Sequence, residues 1–128
     1  MEEYNKLEKL IDKYLYECDT KKIHIMTSEP NNELVKLILK NYKMASLLDK
    51  QQLDKSCIII LHLQKYDDNL IKFINEQIDS NIIFLAIVPI EFNFDYFIKN
   101  VKSNSIDANY WRKDGIRYKN YIITIGRD

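Results

Sequence analysis

The residues of this sequence that have the chemistry for a site fall in three polar stretches, each directly after an apolar run. Thr27, Ser28, Glu29, Asn31 and Asn32 follow "IHIM"; His62, Gln64, Lys65, Asp67 and Asp68 close or follow "CIIILHL"; Glu91, Asn93 and Asp95 follow "NIIFLAIVPI". An imidazole titrates near neutral pH, so His62 suits a general base or a phosphoacceptor. Asp67 and Asp68, joined by Glu91 or Asp95, have the hard oxygen donors that a divalent cation requires. Each candidate also has a plainer use. Asn31 or Asn32 can cap a helix that Pro30 helps to start, and Asp67, Asp68 or Asn69 can cap another and suit its dipole. A single histidine in a strand is usually hydrogen-bonded within the sheet. The caps are the favoured reading, which leaves Ser28, Asn31, His62, Asp67 and Glu91 as candidates for a strand-end pocket.

Several chemistries lack their motif. A phosphate cradle needs glycines that let backbone N–H groups approach the ligand, and the chain has two, Gly115 and Gly126. No nucleophile elbow precedes His62. Cys18, Cys57, His24 and His62 have no zinc-site spacing, so two free thiols in a cytoplasmic protein are expected. No metal, cofactor or catalytic residue is assigned, and the enzyme reading leans to no.

A different constellation lies near the C-terminus. "NYWRKDGIRYKNYIITIGRD" interleaves Tyr110, Trp111, Tyr118 and Tyr121 with Arg112, Lys113, Arg117 and Lys119. Aromatics among cations can stack bases and contact phosphates, and Trp, Tyr and Arg are also favoured protein-interface anchors. Strands favour Tyr and Trp in any case, and edge strands carry lysine against aggregation. Charge sharpens the pattern. The chain as a whole is balanced, with 19 basic and 19 acidic residues, yet Lys99, Lys102, Arg112, Lys113, Arg117, Lys119 and Arg127 face only Asp107, Asp114 and Asp128 in the last stretch. The binding surface expected from sequence is therefore Tyr110, Trp111, Arg112, Lys113, Arg117, Tyr118 and Lys119. The expected partner is another protein or a second copy in a homodimer; nucleic acid is the alternative.

The elements that must position these residues follow from periodicity. At 128 residues the chain is expected to be one α/β domain (1–128). Tyr4, Leu7, Ile11, Tyr14 and Cys18 recur at helical steps, so 2–18 reads as an amphipathic helix. Packing on the domain body is favoured over a heptad seam for a partner. Within 21–105, strands at 22–27, 57–63 and 81–90 alternate with helices starting at 33, 67 and 93; "MASLLDKQQLDKS" extends the first of these helices or holds a short strand. Such alternation calls for a parallel sheet with right-handed crossovers. Asp114-Gly115 between two β-prone runs is a hairpin signal, placing antiparallel strands within 106–128. The fold is predicted as a three-layer α/β/α sandwich, doubly wound and Rossmann- or flavodoxin-like. "NIIFLAIVPI" is about half the length of a membrane span, so no membrane partner is expected.

"KKIHIMTSEPNNELVKLILKNYK" resembles the opening of response-regulator receiver domains: a strand, an acidic pair, often "EPNN", then an apolar helix. "CIIILHLQ" is similar to their strand that ends at the phosphoacceptor aspartate. The resemblance covers less than half of the chain. It places Thr27 and Ser28 where the acidic pair belongs and His62 where the phosphoacceptor belongs, while the later hydroxyl falls on Val88 or Pro89. It implies a degenerate, non-phosphorylatable relative. Together these readings predict a non-catalytic regulatory or protein-interaction module that uses the C-terminal hairpin. Binding of single-stranded nucleic acid by that hairpin is the first alternative, and a small enzyme at the strand ends is the second.

Overall fold

In the computed structural model, the N-terminal apolar stripe winds into α1 (Glu2–Tyr16) and turns Tyr4, Leu7, Ile11 and Leu15 into the core. The residues described are 2–18, 21–47, 58–63, 68–77, 82–89, 94–102, 105–113 and 116–126; over 105–113 and 116–121 the description is of backbone path and register. α1 thus packs on the body of the protein, and its apolar stripe is spent there rather than on a partner. Both halves of it are pinned to the end of the next helix: Asn41 Nδ2 donates to Tyr4 Oη at 2.9 Å, and Tyr42 Oη donates to Asp12 Oδ1 at 2.8 Å. Its last carbonyls are taken up by Lys21, whose Nζ reaches Leu15 O at 2.6 Å and Cys18 O at 3.3 Å. A cation at that end also suits the helix dipole.

The remaining elements are β1 (Ile23–Thr27), α2 (Glu33–Asn41), β2 (Ala45–Leu47), β3 (Ile58–His62), α3 (Asp68–Gln77), β4 (Ile83–Pro89), α4 (Phe94–Asn100), β5 (Ser105–Lys113) and β6 (Ile116–Gly126). They build one six-stranded sheet of order β2-β1-β3-β4-β6-β5. The first four strands are parallel, and β6 runs antiparallel to both β4 and β5. The ambiguous stretch after α2 resolves into the short edge strand β2.

Side-chain alternation splits the core in two. Ile23, Ile25, Ile58, Ile60, Leu85, Ile87 and Ile122 meet α1 and α2. Ile59, Leu61, Phe84, Ala86, Val88, Ile123 and Ile125 meet α3 and α4 through Leu70, Ile71, Ile74 and Phe97. Every residue of β3 is buried, which is why its sequence reads as an unbroken apolar run rather than an alternating one. The α/β/α layering expected from sequence is therefore present, with the hairpin strands completing one side of the sheet.

Local signals set the helix ends. Asn32 is the N-cap of α2, its Oδ1 accepting from Leu34 N at 2.9 Å, with Glu33 in the first turn and Lys40 in the last. Asn75 on α3 holds the end of α4: its Nδ2 donates to Asn100 O and its Oδ1 accepts from Lys102 N, each at 2.9 Å.

One expectation is corrected. Cys18 is not a free thiol but disulfide-bonded, and no described cysteine is free. The chain's other cysteine, Cys57, lies outside the described residues and directly precedes β3. The fold explains how distant positions come together here. Cys18 closes the turn after α1, and Ile58 N donates to Lys22 O at 3.2 Å, so the start of β3 lies beside the segment leaving α1. Spacing along the chain carries no trace of that neighbourhood.

Candidate functional site

The strand order changes direction at β1: β2 lies on one side of it, while β3 and then β4 lie on the other. In open parallel sheets the crevice for a ligand forms at such a switch point, beyond the carboxyl ends of the strands. In this protein the two residues at that point are Thr27 and His62. They end β1 and β3, are partners in the register, and share the α1/α2 side of the sheet by alternation.

Thr27 Oγ1 and His62 Nδ1 are 2.8 Å apart. The same hydroxyl accepts the backbone N–H of Glu29 at 2.9 Å, closing the turn locally as Ser and Thr hydroxyls do. Toward the ring the hydroxyl donates to Nδ1 or accepts from it, according to the tautomer. A neutral ring that accepts at Nδ1 carries its own proton on Nε2. Burial favours this neutral form: His62 is 5 % exposed, and desolvation holds its pKa below the ordinary histidine value, with the Glu29 carboxylate pulling partly the other way.

A hydroxyl bonded to an imidazole is half of a nucleophile–base relay. Here, however, each group satisfies the other, in the middle of a packed sheet, and the acid in electrostatic range, Glu29, is exposed. Among the described residues no group of three His, Cys, Asp or Glu side chains is placed to hold a metal ion.

The other sequence candidates separate. Ser28 and Asn31 are exposed on the turn before α2, and neither forms the cap, which belongs to Asn32. Asp68 stands in the first turn of α3 and Asp95 in the first turn of α4, both at the favourable end of the helix dipole. Asp67 and Glu91 lie outside the described residues. The sequence reading omits Thr27 from its pocket candidates. The available signal was positional: a hydroxyl and an imidazole each close an apolar run, and parallel pairing of those runs sets them side by side.

The hairpin candidates meet this edge from the side. β6 begins at Ile116, but its last pairing toward that end of β4 is Asn120 with Pro89. Ile116, Arg117, Tyr118 and Lys119 precede that pair along β6, where Arg117 pairs with Arg112 and Ile116 with Lys113 of β5. Because β4 is parallel to β1 and β3, this end of the ribbon lies toward the edge at which Thr27 and His62 stand. Two strand spacings separate β3 from β6, about 10 Å. A register irregularity separates the Tyr110 and Arg112 pairings, and such bulges re-aim strands at sheet edges.

Searches against known protein families and characterised proteins found no matching family model and no matching sequence.

Proposed function

We propose that this chain is a non-catalytic recognition module of the regulatory or interaction kind, and that the β5–β6 ribbon is its binding element. The observation that carries the reading is the placement of the hairpin: the Arg112–Arg117 and Lys113–Ile116 pairings, with Tyr118 and Lys119 next along β6, lie toward the carboxyl edge of the parallel strands.

Two further points support it. The switch point, where relatives of this architecture place their chemistry, is occupied by a hydroxyl and an imidazole that satisfy each other. The receiver-like strand order β2-β1-β3-β4 fits a regulatory role, though fold alone never assigns one. No helix among the described residues is long and apolar enough to cross a membrane. The expected cytoplasmic location loses one of its supports, since a disulfide at Cys18 suits an oxidising compartment.

The test is a photo-cross-linking amino acid placed at position 113, in the ribbon, or at position 43, after α2. The reading requires adducts from position 113 in the cells that make the protein and none from position 43. Adducts absent from 113, or equally abundant from both, would overturn it.

A further inference from the structure

The sheet has two edges, β2 and β5. A strand at an edge leaves part of its backbone N–H and C=O groups facing outward, ready to pair with another strand. Proteins blunt such edges by keeping the strand short, by placing proline in it, or by covering it. β2 is three residues long and is blunted by its length. β5 is nine residues long, and the chain's two prolines, Pro30 and Pro89, are elsewhere. It pairs with β6 on its inner side, and nothing among the described residues pairs with its outer side.

Charge is the remaining device against unwanted pairing, and on β5 its order selects a partner. The strand has one acid, Asp107, in its first half and two cations, Arg112 and Lys113, at its end. A parallel copy would set acid beside acid and cations beside cations, and like charges across a strand pair destabilise it. An antiparallel copy brings the acidic half of each β5 to the basic end of the other, and two-fold symmetry makes that match twice. A uniformly acidic or uniformly basic strand is matched along one half and repelled along the other. The order of charges along the strand suffices for this, and no particular register is required.

We infer that the outer edge of β5 pairs antiparallel with β5 of a second copy of this chain, making one sheet continuous across a two-fold homodimer. This rests on the hairpin being the recognition element and names its partner. A contact built on one strand pair is small, so the dimer forms reversibly and comes apart on dilution. Its opposed charges are solvent-accessible at the rim of such a contact, so salt weakens it.

Sedimentation velocity of the full chain tests this over a roughly hundredfold range of concentration, which spans both states of a dimer of moderate affinity. A shift from monomer to dimer is expected. Hydrogen exchange of the β5 amides should slow as the dimer forms, while the amides of β2 keep their rate. Asp107→Lys should weaken the dimer about tenfold, and so should Arg112→Asp with Lys113→Asp, through like charges brought opposite each other. The three substitutions together reverse the charge order and should restore the dimer, which guards against a folding defect in either variant. A monomer at every concentration, a dimer whose β5 amides exchange as the monomer's do, or a triple variant as weak as its parents would each overturn the inference. Adducts from position 113 to other proteins, together with a monomer at every concentration, would leave the hairpin as the recognition element and remove the second copy as its partner.

Discussion

Thr27 Oγ1 stands 2.8 Å from His62 Nδ1, joining the last residue of β1 to the last residue of β3 across the point where the sheet changes direction. The contact is possible because parallel pairing aligns the two strand ends and alternation turns both side chains to the α1/α2 side. Burial, rather than this contact, favours the neutral form of the ring.

That state makes stability depend on pH. Burial lowers the folded-state pKa of His62 below the ordinary value near 6.5, so just below that pH the unfolded chain binds a proton that the folded chain refuses. Stability is then fully present above about pH 6.5 and is lost as pH falls toward the folded pKa. Chemical denaturation at several pH values from 7.5 down to 5.5 should show the midpoint falling over this window. His62→Gln should flatten that part of the profile, and an unchanged profile would assign the acid sensitivity to other groups.

Thr124 is the converse case. Its Oγ1 is buried and has no hydrogen-bond partner, on the sheet face that Leu85 shares. An unsatisfied buried hydroxyl costs its desolvation with no return, and an apolar group of the same shape removes that cost. Thr124→Val should therefore stabilise the protein by about 1 kcal/mol, read as a higher denaturation midpoint with an unchanged m-value. A lower midpoint would show that the hydroxyl has a use in the folded state.

The disulfide at Cys18 ties down the segment that leaves α1. Breaking it, by a reductant or by Cys18→Ser, should cost roughly 2–4 kcal/mol, the usual range for such a cross-link. Hydrogen exchange should then rise first in α1, whose remaining ties are its apolar stripe and the bonds of Tyr4 and Asp12. Equal protection of α1 in the oxidised and reduced protein would mean that those contacts alone hold it.

Sequence and tertiary structure divided the work along physical lines. Local patterns settled what local forces control. The helical stripe from Tyr4 to Leu15, the buried run of β3 and the Asn32 cap each follow from periodicity or capping within a few residues. They were legible as such, and the α/β/α layering followed from their alternation. β2 was left ambiguous, since three residues are too few to show a period.

What lay beyond the sequence were relations between residues far apart along the chain. Nothing near Thr27 marks it as the partner of His62, because the bond exists only through the parallel register of β1 on β3. Cys18 looked like a spare thiol for the same reason. The aromatic and basic residues of the hairpin were visible as a composition, but which position of β5 faces which position of β6 is decided by the register. Their standing beside the switch point depends on β6 entering the sheet next to β4. Strand pairing joins segments by backbone hydrogen bonds that every residue but proline can donate, so the side chains of one strand carry little record of the partner strand. That choice is made by the packing of the whole core.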